Sequence, residues 1–444
     1  MRFLGIGDWN DLGDMYLRMA ASGHQVRVHI GDPRAHGIMA GMVERVDDWR
    51  ACLPWIREAG RDGIIVFEDA KSGALHDRLR SEGYQVIGGG SLGAQLEGDR
   101  ASGQQAMRAA GLRTAAVHAF QDYDQAIAFI RASPGRYVYK FNGDRFPSTH
   151  NYVGELPDGS DVISLLDHYR RSWRGSDRPS FILMQHVEGV EIGVGAYFNG
   201  EAFLDAVCLD WEHKRFFPGD LGELTGEMGT LVTYRGSQRL FEATLAPMQP
   251  MLRAAGYCGY INLNTIVNDA GIWPLEFTCR FGYPGFAILD ALHDVSWAEI
   301  LARLVHRDAV AIPTRPGWAV GVVLTVPPFP RFAPASDDGD GEDADEDPTA
   351  RGLPISFRRP LDAEDNRNLH LAEVAMRDNR LVTSGVLGYL MVATGSGDTV
   401  ERAQERAYAL ARTVVVPNLR YRDDIGRRFV ARDQATLRRL GWLP

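Results

Sequence analysis

The chain has 444 residues, of which 45% are hydrophobic and 24% are charged, a composition typical of a globular protein with two to four domains. These values exclude a chain that is disordered throughout. The formal net charge of -10 argues against a nucleic-acid-binding protein, but a run of acids between Asp337 and Asp347 supplies most of it. The charge of the folded part is therefore uninformative.

Neither cysteine usage nor hydropathy points to export or to a membrane. The four cysteines are scattered without metal-binding spacing and are expected to be reduced core residues. Acids occupy the N-terminal region where a signal peptide needs an apolar run, and no stretch approaches the roughly 18 apolar residues of a transmembrane helix. We expect a cytoplasmic monomer or homodimer without nucleic-acid or membrane partners.

The N-terminal region, up to about residue 91, alternates short apolar strands with amphipathic helices. Strands are predicted at 3–7, 25–30, 63–67 and 85–87, and the first helix at 12–22. This order predicts a doubly wound parallel α/β unit. Gly5 and Gly7 are interpreted as permitting a tight turn after the first strand, because the rest of a dinucleotide-binding glycine fingerprint is missing.

A second α/β region begins with a predicted helix at 99–110 and contains a strand at 136–141. Lys140 lies in this strand, where it either reaches water or meets an anion. Strands at 180–184 and 191–197 are expected to form a hairpin-like pair. The segment 211–229 is too polar and glycine-rich for a core element, which predicts a long functional loop.

Two further strands, 259–267 and 273–281, are predicted to pair through the turn at 268–271, after a helix at 238–255. Alternation places Glu276, Thr278 and Arg280 on one face and Leu275 on the other. A carboxylate followed by a hydroxyl could hold a divalent cation, and Arg280 could hold a phosphate or carboxylate oxygen. The alternative is a buried ion pair between Glu276 and Arg280 that braces the sheet.

The C-terminal part is predicted to contain a helix at 297–306, a strand at 318–326 and, after an acidic disordered insertion at about 335–352, a last domain. That domain is expected to consist of strands at 369–376, 380–384 and 386–393, and a helix at 399–414.

Several motifs occur in an order that resembles the phosphoribosylamine–glycine ligases, which are ATP-grasp enzymes of purine synthesis. The strongest matches are His213–Arg215 with Gly219–Asp220 and Thr225–Gly229, Leu275–Phe277 with Arg280–Gly282, and Ala403–Tyr408 with Tyr421–Gly426. Leu96–Arg100 and Val382–Gly385 also echo segments of that family. The resemblance spans essentially the whole chain.

This resemblance implies a multidomain α/β and α+β fold. Residues 1–98 would form a parallel α/β PreATP-grasp domain, 99–315 a two-lobed ATP-grasp module divided at 178/179, and 316–444 a small C-terminal domain with the acidic insertion. The implied reaction uses ATP and Mg²⁺ (or Mn²⁺) to phosphorylate glycine, after which 5-phosphoribosylamine displaces phosphate to give glycinamide ribonucleotide. Such chemistry needs cations around the γ-phosphoryl group and a lid that excludes water.

The resemblance also implies roles for individual residues. Arg100 and Lys140 would reach the ATP phosphates, Glu191 the ribose, and the segment with Met184, Gln185 and Val187 the adenine. Glu276, with Thr278 and Asn264, would bind the metal ion. Catalysis would use Lys140, Lys214 and Arg280. The substrate side would be lined by Asp220, Thr225, Gly226, Met228, Gly229, Asp8 and Tyr283.

The chain departs from the family's pattern at four places. The lid segment 141–150 has one glycine, which hinders a close approach of the backbone to phosphate. Thr278 replaces a metal-binding asparagine, Asp8 and Asp11 stand where a phosphate-binding turn is expected, and Tyr283 begins a turn that has lost two acids. These departures leave two alternatives open: the same chemistry on a different amine or amino acid, or a nucleotide-binding pseudoenzyme.

Overall fold

The computed structural model describes residues 1–141, 151–172, 180–331 and 351–444. Residues 142–150 of the predicted lid and 335–350 of the predicted acidic insertion lie outside the described residues. Within the described chain, no helix is long and apolar enough to cross a bilayer.

The N-terminal region is the predicted parallel α/β unit. Its strands are β1 Arg2–Gly7, β2 Gln25–Ile30, β3 Glu44–Arg45, β4 Gly63–Phe67 and β5 Gln85–Ile87, in the order β3-β2-β1-β4-β5. Its helices are α1 Gly13–Ala21, α2 Leu53–Glu58 and α3 Gly73–Ser81, with short 3₁₀ turns at Pro33–Ala35, Trp49–Cys52 and Gly60–Asp62. An added β-carbon at Gly5 would collide with the Tyr16 ring, and one at Gly7 with the Glu68 carboxylate. These glycines therefore serve close packing against the sheet.

A four-stranded antiparallel sheet follows, in the order β6-β9-β7-β8. Its strands are β6 Val117–Phe120, β7 Tyr137–Phe141, β8 Tyr152–Val153 and β9 Phe181–Gln185. The helices of this region are α4 Gly90–Gly98, α5 Arg100–Ala109, α6 Tyr123–Ala132 and α7 Ser160–Ser172. Asp99 caps α5 by accepting from the backbone of Ala101 and Ser102, which begins the helix at Arg100.

An eight-stranded antiparallel sheet forms the centre of the protein, in the order β16-β15-β10-β11-β14-β17-β22-β19. Its first six strands in the chain are β10 Val190–Asn199, β11 Cys208–Glu212, β14 Gly229–Thr233, β15 Cys258–Asn268, β16 Gly271–Thr278 and β17 Trp318–Thr325. The hairpin of β12 Arg215–Phe217 and β13 Leu221–Leu224 extends from it. Helices α8 Gln238–Ala243, α9 Gln249–Ala254, α10 Gly285–Asp290 and α11 Trp297–His306 lie in the same segment.

The C-terminal region completes this sheet. It contains β18 Ser356–Phe357, β19 Leu369–Leu371, β20 Val374–Arg377, β21 Arg380–Thr383, β22 Tyr389–Gly397 and β23 Val414–Val415. Its helices are α12 Ala363–Asn368, α13 Val400–Ala411 and α14 Gln434–Arg439, the last preceded by a π-helical turn, Phe429–Asp433. Because β17 pairs with β22 and β22 with β19, two of these strands continue the central sheet, whereas β18 with β23 and β20 with β21 form separate two-stranded sheets.

Three predicted elements were wrong. The strands near 180–184 and 191–197 do not pair with each other, because β9 joins the four-stranded sheet and β10 the eight-stranded one. The predicted helix at 238–255 is divided into α8, a 3₁₀ turn at Ala246–Met248 and α9. Pro247 and Pro250 are the second residues of the 3₁₀ turn and of α9, and neither can donate a backbone hydrogen bond that would continue one helix. The segment 211–229 contains the β12–β13 hairpin rather than a long loop.

Candidate active site

A cavity of about 330 Å³ lies between the four-stranded and the eight-stranded sheets. It is lined by Arg100, Val138, Lys140, Asn151, Val153, Met184, Gln185, His186, Val187, Glu191, Lys214, Leu224, Thr225, Gly226, Ile266, Leu275 and Glu276. Ten of the residues predicted for the nucleotide and substrate sites are among them. Its volume lies in the range usual for small-molecule sites. We call it the nucleotide pocket, after the ligand that the sequence resemblance predicts for it.

Three cations surround one carboxylate at the inner end of this pocket. Arg100 donates to Glu276 Oε2, Lys140 Nζ lies 3.4 Å from the same oxygen, and Lys214 Nζ lies 3.7 Å from Oε1. Lys140, followed by Arg100 and Lys214, holds the pKa of Glu276 well below its ordinary value, although burial opposes the shift. Glu276 is therefore ionised at neutral pH and ties four segments of the chain together.

The two lysines have opposite pKa shifts. Burial lowers the pKa of Lys140, and the attraction of Glu276 only partly offsets it. Burial acts in the same direction on Lys214, but Glu212, at 2.9 Å, and then Glu191 and Glu276 raise its pKa well above the ordinary value. Lys214 is thus a fixed positive charge, whereas the charged form of Lys140 would be stabilised further by a bound anion.

A β-bulge places Glu276 in the pocket. Glu276 lies opposite Asn264, but the next residue of β15, Thr265, lies opposite Pro274, so Leu275 has no partner. Strict alternation predicted that Leu275 faces away from Glu276, and this was wrong, because the bulge lets both side chains line the cavity. Beyond the bulge alternation holds, and Phe277 is buried on the opposite face.

Two of the predicted metal ligands lie close to this cluster. Asn264 is the strand partner of Glu276, and its amide nitrogen donates to Glu212 Oε2 at 3.2 Å. Thr278 follows Glu276 on the same face but lines a smaller, separate cavity. Among the described residues no three His, Cys, Asp or Glu side chains are arranged to hold a metal ion by themselves.

A second cavity, of about 550 Å³, adjoins the nucleotide pocket and shares Arg100 and Asn151 with it. It is lined by Asp8, Trp9, Asp11, Glu68, Asp69, Ala70, Lys71, Ala94, Glu97, Gly98, Arg100, Phe141, Asn151 and Arg280. Burial raises the pKa of Asp11, and burial followed by the charge of Asp11 raises that of Glu68 to about 8. Asp8, which is predicted from the sequence to lie on the substrate side, also lines this second cavity.

Arg280 lies in this second cavity and not in the nucleotide pocket. Its Nε donates to Glu97 Oε1 at 2.9 Å, and Glu97 also accepts from the backbone of Cys279 at 2.7 Å. The alternative interpretation, an ion pair between Glu276 and Arg280, was wrong, because Glu276 pairs with Arg100, Lys140 and Lys214. The partner Glu97 comes from α4, far away in the sequence.

Four residues predicted for the substrate side line none of these cavities. Asp220 accepts from Arg422 and Arg428, each at 2.9 Å, and so anchors the β12–β13 hairpin to the C-terminal region. Met228 is buried against Phe216 and Phe329, and Gly229 packs closely on Gly321. Tyr283 stacks edge-on against Tyr389, with ring centroids 5.1 Å apart.

The apolar walls of the nucleotide pocket were not predicted. Val138, Val153 and Ile266 face the cavity from three strands. On each strand they continue an ordinary alternation of apolar residues, so nothing in the sequence separates them from core positions. His186 was also missed, although it lies inside the segment predicted to contact adenine.

Comparisons with known proteins identify the same architecture. The sequence profile of the ATP-grasp (A) domain of phosphoribosylglycinamide synthetase matches residues 98–286. Phosphoribosylamine–glycine ligase of Pseudomonas aeruginosa is 26% identical over 368 residues, which cover 81% of each chain, and that of Brucella melitensis is 25% identical over 98% of this chain and 100% of its own.

Solved structures show the fold over nearly the whole chain. The crystal structure of phosphoribosylamine–glycine ligase from Thermotoga maritima aligns with a TM-score of 0.68 at 22% identity and covers 96% of this chain and 100% of its own. The biotin carboxylase domain of 2-oxoglutarate carboxylase from Hydrogenobacter thermophilus, in complex with MgADP, ADP and bicarbonate, aligns with a TM-score of 0.62 at 11% identity, covering 94% and 91%.

Proposed function

We propose that this chain is a member of the phosphoribosylamine–glycine ligase family of ATP-grasp enzymes and an ATP-dependent ligase that forms a C–N bond between a carboxylate and an amine. The observation that carries this proposal is the group of Arg100, Lys140 and Lys214 around Glu276 in the nucleotide pocket. Phosphoryl transfer depends mainly on positioning and on charge stabilisation, which such a group supplies.

We further propose the substrates for which the relatives are named. ATP would phosphorylate glycine, and 5-phosphoribosylamine would attack the acyl phosphate to give glycinamide ribonucleotide, ADP and phosphate. The second cavity shares Arg100 with the nucleotide pocket, so an amine held there would reach a carboxylate that is activated beside Arg100.

Individual residues have separable tasks in this scheme. Met184, Gln185 and Val187, which line the pocket at and after the end of β9, would contact adenine. Glu191, whose carboxylate lies 3.7 Å from Lys214 Nζ, would bind the ribose. Arg100 and Lys140 would hold the phosphates and Lys214 the carboxylate that accepts the phosphoryl group. Because burial already lowers the pKa of Lys140, a nearby phosphate would stabilise its charged form.

The residues present fit a nucleotide-bound Mg²⁺. Mg²⁺ is usually held by one or two carboxylates together with substrate phosphates, and Glu276 with the amide of Asn264 supplies this kind of donor set. Thr278, one strand step away, would reach the ion only through water. Bound there, the ion would neutralise charge on the transferring phosphoryl group.

A second candidate keeps the chemistry and changes the amine. Asp8, Asp11, Glu68 and Asp69 give the second cavity an excess of carboxylates, which favours a cationic or neutral amine over a phosphorylated one. Turnover across a panel of amines distinguishes the two candidates, since robust turnover with phosphoribosylamine and glycine would remove the second.

The proposal is tested by phosphate release with ATP, Mg²⁺, glycine and enzymatically generated phosphoribosylamine. We expect ADP and phosphate only when both an amino acid and an amine are present, and loss of at least 99% of this activity in Lys140→Ala and Glu276→Ala, a fall on the order of 10²-fold or more. Arg402→Ala, on the exposed face of α13, is the matched control for removal of a charge. Turnover that persists in both pocket variants would contradict the proposal.

A further inference from the structure

A third cavity, of about 50 Å³, lies on the same face of the eight-stranded sheet as the cation group. It is lined by Cys208, Asp210, Glu212, Glu227, Thr230, Val232, Tyr260, Asn262, Thr278, Gly282, Gly285 and Leu289. We call it the acidic cavity. Of the residues that the structure describes, three acids line it, Asp210, Glu212 and Glu227, and neither lysine nor arginine does.

The acidic cavity lies beside the nucleotide pocket, along the same strands of the sheet. Thr278 follows Glu276 by two residues on β16, Glu212 precedes Lys214 by two, and Glu227 directly follows Gly226. The two cavities also meet at their side chains, since Lys214 Nζ lies 2.9 Å from Glu212 Oε2. A small molecule whose carboxylate is held near Lys214 would therefore place its other end in the acidic cavity.

Two of the carboxylates are almost fully buried. Asp210 is 6% exposed and Glu227 is 7% exposed. Asp210 Oδ2 accepts from Asn262 at 2.6 Å, and Glu227 accepts from the Thr230 hydroxyl. Asp210 Oδ1 is buried and has no hydrogen-bond partner among the described residues. An unpartnered carboxylate oxygen in such a place is costly, and a donor from a ligand would satisfy it.

The electrostatics of the acidic cavity favour a cation. Burial, followed by the charge of Glu212, raises the pKa of Asp210 to about 8. Burial, followed by Glu212 and Asp210, raises the pKa of Glu227 well above its ordinary value. The nearest cation, Lys214, already interacts with Glu212, Glu191 and Glu276. The acids thus lack a counter-charge of their own.

Two glycines of β10 make room for this arrangement. A β-carbon at Gly193 would collide with the Asp210 carboxylate, and one at Gly195 would collide with the Tyr260 hydroxyl. Gly193 and Asp210 are direct partners in the antiparallel sheet. The space over this face is therefore kept open by residues without side chains, and the polar groups of the neighbouring strands fold into it.

We propose that the acidic cavity binds the ammonium group of the amino-acid substrate, with Asp210 and Glu227 as the residues that determine specificity. The proposal rests on the proposed ligase function. By the usual requirement of about 15 Å³ for a water-sized group, a cavity of about 50 Å³ admits roughly three such groups, which suffices for an ammonium group and the carbon that carries it but not for a branched side chain. Amino acids with branched or long side chains are thereby excluded.

This arrangement would also prevent the amino group of the amino acid from attacking the acyl phosphate in place of the second substrate. The carboxylates keep the bound ammonium protonated, so its nitrogen has no free electron pair and does not attack an acyl phosphate. When the second substrate attacks, its neutral nitrogen forms the C–N bond, the carbon–oxygen bond to phosphate breaks, inorganic phosphate leaves and the nitrogen loses a proton to water or buffer.

The test is to measure amino-acid binding directly by calorimetry, with a non-hydrolysable ATP analogue and Mg²⁺ present. We expect glycine to bind and glycolate, in which a hydroxyl replaces the ammonium group, to bind about 10- to 100-fold more weakly, as for loss of a charged hydrogen bond. Asp210→Asn and Glu227→Gln should each weaken glycine binding by a similar factor while the affinity for the ATP analogue stays within twofold. Glu401→Gln, an exposed acid on α13, is the matched control.

The size limit of the cavity is tested with L-valine, which should not bind to the wild-type protein. Equal affinity for glycine and glycolate, or unchanged glycine affinity in both folded variants, would overturn the proposal. If one variant fails to fold, the other decides. Failure of the ligase function is recognised separately, since glycine would then bind with this selectivity but give no phosphate release with any amine.

Discussion

Replacing Glu276 with Gln tests whether this residue serves the metal–nucleotide complex or only holds the site together. The substitution keeps the shape and removes the charge that faces Arg100, Lys140 and Lys214. Breaking a fully buried ion pair costs about 3–5 kcal/mol, and an exposed one contributes about 0–1 kcal/mol. The Glu276 side chain is 31% exposed, so we expect the free energy of unfolding to fall by about 1–3 kcal/mol.

This loss depends on pH in a defined direction. The pKa of Glu276 in the folded protein lies well below its ordinary value of 4.5. A depressed carboxyl pKa contributes stability that is fully present above the unfolded value and is lost as the pH falls through the folded value. The difference between wild type and Glu276→Gln, measured by urea unfolding, should therefore be constant near neutral pH and shrink below about pH 4.5.

Nucleotide affinity separates the two roles. Without Mg²⁺, Glu276→Gln should bind ATP at least as tightly as wild type, because the cations no longer face a competing carboxylate. With Mg²⁺, wild type should bind more tightly by about tenfold, or 1.4 kcal/mol, and the variant should gain little from the ion. An equal response to Mg²⁺ in both proteins would refute a metal role for Glu276 and leave it only the structural one.

Three further substitutions test other parts of the structure. Glu68→Gln should stabilise the protein, because burial raises the pKa of Glu68 to about 8. Such an acid destabilises the fold increasingly as the pH rises from the ordinary carboxyl pKa to the raised one. Thermal unfolding between pH 5 and 9 measures the gain in stability, and no gain at pH 8 would contradict the prediction. Asp220→Asn should cost about 1 kcal/mol of stability, since it removes one of the two carboxylate partners of the buried Arg422 and leaves Asp424 in place. Nucleotide affinity should stay unchanged by calorimetry; a selective loss of substrate binding would instead support the predicted substrate role. Gly193→Ala should weaken glycine binding more than ATP binding, because the added methyl group displaces Asp210; equal effects on both ligands would argue for a general disturbance of β10.

Much of the nucleotide pocket could be predicted from the sequence, because its polar residues occur in a fixed order of short motifs. Arg100, Lys140, Lys214 and Glu276 are separated by up to 176 residues, yet the structure brings them within contact distance. The parallel N-terminal sheet and the pairing of β15 with β16 followed from periodicity and turn residues. These are local signals, and local signals are what a single sequence carries.

The wrong predictions concern side-chain partners and strand geometry that are set by segments distant in the sequence. The partner of Arg280 is Glu97 from α4, which no spacing in β16 reveals. The bulge at Leu275 is set by its pairing with β15 and breaks the alternation next to Glu276. The acidic cavity left a weaker trace, the alternating Gly193 and Gly195 within an apolar strand, which signals a close approach of neighbouring side chains.

The most direct test of the ligase function follows oxygen from the carboxylate to phosphate. Glycine labelled with ¹⁸O in both carboxylate oxygens is turned over with ATP, Mg²⁺ and phosphoribosylamine, and the released phosphate is analysed by mass spectrometry. An acyl phosphate intermediate predicts one ¹⁸O in each phosphate and one in each amide product. Amide formation without label in phosphate, or ATP cleavage without any amide, would contradict the function proposed for this chain.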